Sequence, residues 1–342
     1  MSLPTWLVLA LAVAISLLTS TALIPLAGQL GERFGLIDRP RPGELQPRVT
    51  PRSGGYGLLV AFLVTVALTA PLLPRTTDEL TRIVGLVVGI LLVVPIAAVD
   101  DFKRLGPLPQ LVGQIGLAVV AMAFGLTVSS IANPFGGLIV LPLAVAIPFT
   151  VLWVVGMINT LNFVDTMDGL AAGVTAIAAI VLFVRSLSLG QISISLLPLA
   201  LAGVCVAFLR FNFNPARIFM GTSGSTFLGF TLAVLAIIGG AKIATAAFVL
   251  GLPIVDVALV IVQRSARRRS PLVGGDSAHL PHRLVRRGLS TRRITLLIYS
   301  VCAAGGTLAM TLNGVQKLGV MAVVGAIAAL LALRFAALRP VE

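Results

Sequence analysis

The sequence predicts an all-α protein, a single integral-membrane domain over 1–342 with about eleven transmembrane helices. Three observations carry this expectation. The 342 residues are 58% hydrophobic and only 11% charged, whereas a soluble globular domain is about 25% charged. Apolar runs of roughly 17–25 residues, long enough to cross a hydrocarbon core, recur from end to end. The alternation in segments of about ten residues that marks a spanning β-barrel is absent.

Taken in order, the spans are expected at about 5–27, 54–74, 82–99, 109–128, 142–158, 169–185, 192–210, 223–240, 242–262, 295–312 and 317–336. Ser129 to Pro142 (SSIANPFGGLIVLP) is too polar and too rich in Gly and Pro to span, and reads as a turn or short hairpin. Loops on one face fall at about 28–53, 100–108, 159–168, 211–222 and 263–294. That face, with the tail after 333, carries 20 of the 25 Lys and Arg; the other face has Arg75, Arg82, Arg185, Lys242 and Lys317. The positive-inside rule then puts the amino terminus outside and the carboxyl terminus in the cytoplasm. The first span lacks the basic start and small-residue cleavage pattern of a signal peptide. Cys205 and Cys302 sit inside spans, so neither a disulfide framework nor a metal knot is implied. The net charge of +13 suits inside loops and attraction to anionic lipid or substrate. No basic stretch is interleaved with aromatics, which argues against nucleic acid.

Acidic residues are scarce, 12 in all, and nine of them lie on the cytoplasmic face of this map or in a span leading to it. Asp100-Asp101 ends the third span without a polar buffer. Adjacent helical positions diverge by about 100°, so the two carboxylates should not share one ligand fully. One reading is an acid for a metal or proton beside an orienting partner; the other is a solvated helix end paired with Lys103 or Arg104. Asn159, Asn162, Asp165 and Asp168 are each three apart. On a helix they would form a spiral of oxygen ligands and amide donors, suited to Mg²⁺ with substrate phosphates. The plainer alternative is a capping turn with Asp165 or Asp168 as N-cap. Gly221-Thr222-Ser223-Gly224-Ser225 opens the eighth span and could offer free amides to an anion. The last loop carries Arg264, Arg267, Arg268, Arg269, Asp276 and the only two histidines, His279 and His282, beside Arg283. Arginine offers bidentate contacts to phosphate oxygens, while the same loop could also lie on anionic lipid. Pro281 is placed to begin a short amphipathic helix ending near Gly288.

Taken together these residues resemble the polyprenyl-phosphate N-acetylhexosamine-1-phosphate transferases. The resemblance runs in order through most of the chain. Asp38-Arg39-Pro40 with Pro51-Arg52-Ser53-Gly54-Gly55 is similar to the first-loop motif, and Asp100-Asp101 to the aspartate pair. Asn159 to Gly169, Asn212 to Ser225, Pro253-Ile254-Val255-Asp256 and His279 to Leu284 complete six motifs. The resemblance implies transfer of a sugar-1-phosphate, N-acetylglucosamine-1-phosphate above all, from a UDP-sugar to polyprenyl phosphate with release of UMP. It implies Mg²⁺ held by Asn162, Asp165, Asp100 and Thr222, and catalytic roles for Asp100, Asp101, Asp165 and Asp168. Asn159, Asn162, Arg52, Phe219, His279, His282 and Arg283 would bind substrates, with Phe219 stacking on uracil. A homodimer is also known in that family. Four positions depart from its pattern: Thr222 for an aspartate, Thr166 for a glycine, Pro281 for a histidine and Gln46 for a histidine. A catalytically weakened member that binds nucleotide sugar or lipid carrier is therefore the alternative. A secondary transporter, which would place polar groups at the bilayer midplane with inverted repeats, fits less well.

Overall fold

The computed structural model describes residues 3–39, 49–240, 242–266 and 279–337. Pro40, Gln46, Asp276 and the run Arg267, Arg268 and Arg269 lie outside the described residues. The helices are α1 (Thr5–Arg33), α2 (Gly54–Thr69), α3 (Thr77–Lys103), α4 (Pro107–Ala123), α5 (Leu143–Val164), α6 (Leu170–Ser188) and α7 (Ile192–Asn212). They continue with α8 (Gly221–Ile237), α9 (Ile243–Val249), α10 (Gly251–Ala266), α11 (Leu280–Arg286), α12 (Thr291–Thr311) and α13 (Gly314–Ala337). Two short antiparallel pairs complete the order: β1 (Ile37–Asp38) with β2 (Thr50–Pro51), and β3 (Ser130–Ala132) with β4 (Leu138–Val140). The second pair is the hairpin expected between Ser129 and Pro142.

All eleven expected apolar segments are helical, but not all have spanning length. Among the described residues seven helices are long and apolar enough to cross a membrane: α1, α2 with its 3-10 extension to Leu72, α3, α5, α6, α7 and α12. An eighth follows if α9 and α10 count as one span bent by 78°. The expected run 242–262 thus breaks at Leu250, where Gly251 and Pro253 follow within three residues. Pro fits the first turn of the new helix because no intrahelical partner needs its missing N–H. α4, α8 and the apolar stretch 314–327 of α13 are shorter; 17 residues rise only about 25 Å, less than the roughly 30 Å hydrocarbon core.

α8 is the axis of the bundle. Every residue from Ser223 to Ile237 is buried, as expected of a helix apolar all round. It packs on α2, α3 and α5, while α6 packs on α7 and α12, and α1 on α2 and α7. Close approach depends on missing side chains: a Cβ at Gly229 would stand 2.5 Å from Ile158 Cα. Small residues at helix crossings serve this purpose in membranes. The consequence for function is positional. α8 opens at Gly221, α3 closes at Lys103, α5 closes at Val164 and α6 opens at Leu170, and all four ends meet.

Candidate active site

A backbone latch builds the floor. Phe219 N–H donates to Pro51 O at 2.8 Å, Gly54 N–H to Phe219 O at 2.9 Å and Gly55 N–H to Met220 O at 3.0 Å. A Cβ on Gly55 would fall 2.2 Å from Gly224 N, so only glycine allows the two loops this close. The hydroxyl of Ser53 ties the first loop to α1 through Ala27 O at 2.7 Å. The latch fixes Arg52 over the end of α3, and leaves the Phe219 side chain only partly buried.

α3 ends with Arg104 in the left-handed region (φ 49°), which turns the chain so that Asp100 closes the helix end. Asp100 Oδ1 accepts from Leu105 N–H at 3.0 Å and Gln110 Nε2 at 2.8 Å. Asp101 points elsewhere, as the helical offset requires. Its Oδ2 accepts from Tyr56 Oη at 3.0 Å, and its Oδ1 accepts from Thr222 N–H at 3.1 Å and lies 3.5 Å from the Arg52 guanidinium. Both aspartates are buried. A buried carboxylate is tolerable only with such donors, and Asp101 has them from α2, the first loop and α8.

The Asn159 to Gly169 stretch is helix only as far as Val164. Asp165 leaves the helical region at ψ 42°, so the spiral of four stops at Asn162. Asn159 turns away toward α4 and donates to Gln114 Oε1 at 2.6 Å and Val155 O at 2.8 Å. Asn162 Oδ1 accepts a short hydrogen bond from Ser225. Asp168 Oδ2 accepts from Asn214 Nδ2 at 2.9 Å and Ala216 N–H at 3.0 Å. The N-cap of α6 is Gly169, at φ 77° and without a side-chain cap; its N–H donates to Asn212 Oδ1 at 3.0 Å and its carbonyl accepts from Tyr299 at 2.5 Å. The capping alternative for Asp165 or Asp168 is therefore not what forms.

Asp165 differs from the other three carboxylates. It is half-buried, and no described residue gives it a hydrogen bond or an ion pair. Burial, reinforced by the charge of Asp168, holds its carboxyl well above the usual carboxylate range, with Arg52 acting in the opposite direction. Two buried polar atoms have no hydrogen-bond partner among the described residues here, Thr166 Oγ1 within the stretch and His279 Nε2.

His279 is set by α10. Asp256 Oδ2 lies 2.8 Å from its Nδ1, Asp256 Oδ1 accepts from Leu280 N–H at 2.8 Å, and the imidazole faces the Phe163 ring at 5.2 Å. α11 begins with Leu280-Pro281 and Gly288 follows at φ 89°, close to the helix expected there. His282 is half-buried. Burial first, then the neighbouring His279 and Arg286, lower its pKa below the ordinary 6.5, against a pull upward from Asp256. Arg283 donates to Gln263 Oε1 at 3.0 Å.

Among the described residues no group of three or more His, Cys, Asp or Glu forms a ready metal cage. Asn162 Oδ1 accepts from Ser225, Asp100 Oδ1 accepts from Leu105 and Gln110, and the Thr222 amide donates to Asp101. Among the four expected metal ligands, Asp165 has no hydrogen bond or ion pair with a described residue, and Mg²⁺ commonly takes one or two carboxylates with water and substrate phosphates. The donor set thus fits a cation shared with substrate, not one held by protein alone. Sequence reasoning missed Tyr56, Gln110 and Gln114. The two glutamines are four apart on one face of the otherwise apolar α4, which was a readable signal.

The model of the family described as glycosyl transferase family 4 matches residues 83–240. A probable undecaprenyl-phosphate N-acetylglucosaminyl 1-phosphate transferase of Bacillus subtilis (strain 168) is 31% identical over 300 residues, 84% of this chain and 80% of that protein. The chain belongs to this transferase family. A decaprenyl-phosphate N-acetylglucosaminephosphotransferase of Mycolicibacterium smegmatis is 36% identical over 299 residues, 79% of this chain and 73% of the relative. A phospho-N-acetylmuramoyl-pentapeptide-transferase of Clostridium perfringens (strain 13 / Type A) is 46% identical, but over 92 residues that make up 27% of this chain and 29% of that one. The membership places the chain among the polyprenyl-phosphate N-acetylhexosamine-1-phosphate transferases, and its apolar helices make it a multi-pass membrane protein.

Proposed function

We propose that the protein transfers N-acetylglucosamine-1-phosphate from UDP-N-acetylglucosamine to a polyprenyl phosphate at the cytoplasmic edge of the plasma membrane, releasing UMP. The observation that carries this reading is Asp165: a half-buried carboxylate without a partner among the described residues, near Arg52, His279 and the ends of four helices. Relatives named for N-acetylglucosamine chemistry match over about four-fifths of the chain and the muramoyl relative over about a quarter, which supports the choice of sugar.

In this reading an oxygen of the lipid phosphate attacks the sugar-bearing phosphorus of the donor. A new P–O bond forms, the bond to the UMP oxygen breaks, and UMP leaves with the electron pair. Mg²⁺, when bound, neutralises charge on the diphosphate. Asp165 would hold it together with substrate oxygens. Arg52 is positioned to share its fork between Asp101 and a phosphate. Asp256 takes the Nδ1–H of His279, which leaves Nε2 with a lone pair in the neutral imidazole; it can accept a proton from the lipid phosphate.

The test is UMP release from UDP-N-acetylglucosamine with polyprenyl phosphate and Mg²⁺. Native protein should turn over, and Asp165→Asn should lose at least about 100-fold, the scale of removing one charge-stabilising group. Turnover of a muramoyl-pentapeptide donor alone would overturn the sugar assignment. Thr222 motivates a second reading, a weakened member that binds without efficient transfer; silence in the native protein with recovery in Thr222→Asp would select it.

A further inference from the structure

The end of the bundle away from the carboxylates carries a second charged cluster, all of one sign. α6 opens beside Asp168 and closes at Ser188, so Arg185 lies about 25 Å along the helix from Asp168, at 1.5 Å per residue. Lys242, in the connection before α9, is buried, and its ammonium donates to Ser186 Oγ at 2.7 Å and to Ile238 O at 3.2 Å. One of its three N–H bonds has no partner among the described residues. α12 runs beside α6, where a Cβ at Gly306 would fall 2.6 Å from the Val181 side chain, so it delivers Lys317, in the first turn of α13, to the end of α6 that carries Arg185 and the Lys242-bonded Ser186. No described carboxylate pairs with any of the three. Glu79, one of two acids at this end, is taken by Ser193 Oγ at 2.8 Å and lies near Arg75.

Holding a buried ammonium beside a like charge is costly unless a negative group offsets it. We propose that Arg185 and Lys317 bind the phosphate of an anionic phospholipid, with Lys242 as the fixed positive charge behind them. The surroundings select a lipid over a free anion. Val184, Leu187 and Leu189 on one side, and Val315 and Leu318 on the other, are exposed next to the two half-buried cations. Such apolar flanks suit acyl chains below a headgroup, and guanidinium and ammonium together satisfy a phosphate.

The experiment titrates the full chain, in a neutral detergent, with phosphatidylglycerol and reads the tightest binding step by native mass spectrometry. Arg185→Gln and Lys317→Gln should each weaken that step about fivefold, the worth of one cation near a lipid surface. Arg185→Lys should retain most of it, and Arg82→Gln, an equal charge loss at the same end, should leave it unchanged. Unaltered affinity in both Gln variants, or equal weakening by Arg82→Gln, would remove the site. Competition by inorganic phosphate at matching concentration would replace the lipid with a free anion and overturn the assignment.

Discussion

Asp165 combines stability and chemistry in one side chain. Its carboxyl sits well above the ordinary range because burial and Asp168 disfavour the charged form. The folded chain therefore keeps this proton to a higher pH than the unfolded chain. Metal-free stability should fall as pH rises through the folded value, and the loss should disappear in Asp165→Asn. The same variant should melt higher at neutral pH, by on the order of 2–4 °C for each kcal/mol of penalty removed, while losing turnover. In the native protein, the Mg²⁺ concentration for half-maximal activity should rise as pH falls, because protons compete for the carboxylate. A flat Mg²⁺ requirement across pH 5–8 would remove Asp165 from the metal. The types and spacing of these residues were readable in the sequence, but which carboxylate stays free was not. That depends on partners far away in sequence, such as Thr222, 121 residues from Asp101, and Asn214, 46 residues from Asp168. Asn159 shows the same limit, since its amide donates to Gln114 on a neighbouring helix, a partner the spacing does not announce.

At the level of elements, the turn from α5 to α6 is the piece most sensitive to one atom. Gly169 holds φ 77°, and a Cβ there would lie 3.0 Å from the Phe213 ring. A left-handed conformation costs a non-glycine residue about 1–2 kcal/mol. Gly169→Ala should therefore lower the melting temperature and, by moving Asp168 against Asn214, reduce kcat more than KM. Tyr299→Phe, which removes the hydroxyl bonded to Gly169 O, should give a milder version, near 1 kcal/mol. Equal kcat in wild type and Gly169→Ala would show that the turn does not transmit to the site. Apolar runs announced every long helix, because hydrophobic length is a local property. The break at Leu250 went unread although Gly251 and Pro253 signal it. Where α5 ends was equally hidden, since nothing local to Val164 and Asp165 forbids another turn.

At the level of the molecule, the polar ends of α3, α5, α6 and α8 gather at one edge of an apolar bundle, and the proposed function puts that edge in the cytoplasm, as the positive-inside rule would. Both native cysteines are buried, so Cys205→Ser with Cys302→Ser is a workable background for labelling. Lys103→Cys and Leu189→Cys place single thiols at exposed positions near opposite ends. A membrane-impermeant maleimide applied to intact cells should modify the second and spare the first. The reverse pattern would invert the orientation, and with it the compartment from which a nucleotide donor must come. Gathering at one edge was legible from acid placement alone. The number of full crossings was not, because α8 is short and buried at the centre, where an apolar helix need not reach both surfaces.

The latch between residues 50–55 and 219–224 also bears on how this chain can be varied. Its contacts are backbone to backbone, and its glycines exclude any side chain from the contact. The two loops are thus one unit of inheritance despite more than 160 residues between them. Transplanting either loop alone from a relative that trims a glycine on one side should give a misassembled site. Moving both together should preserve turnover. For anyone recombining such transferases, the crossover points that matter lie outside this pair, and a library that separates its halves will be depleted of functional clones.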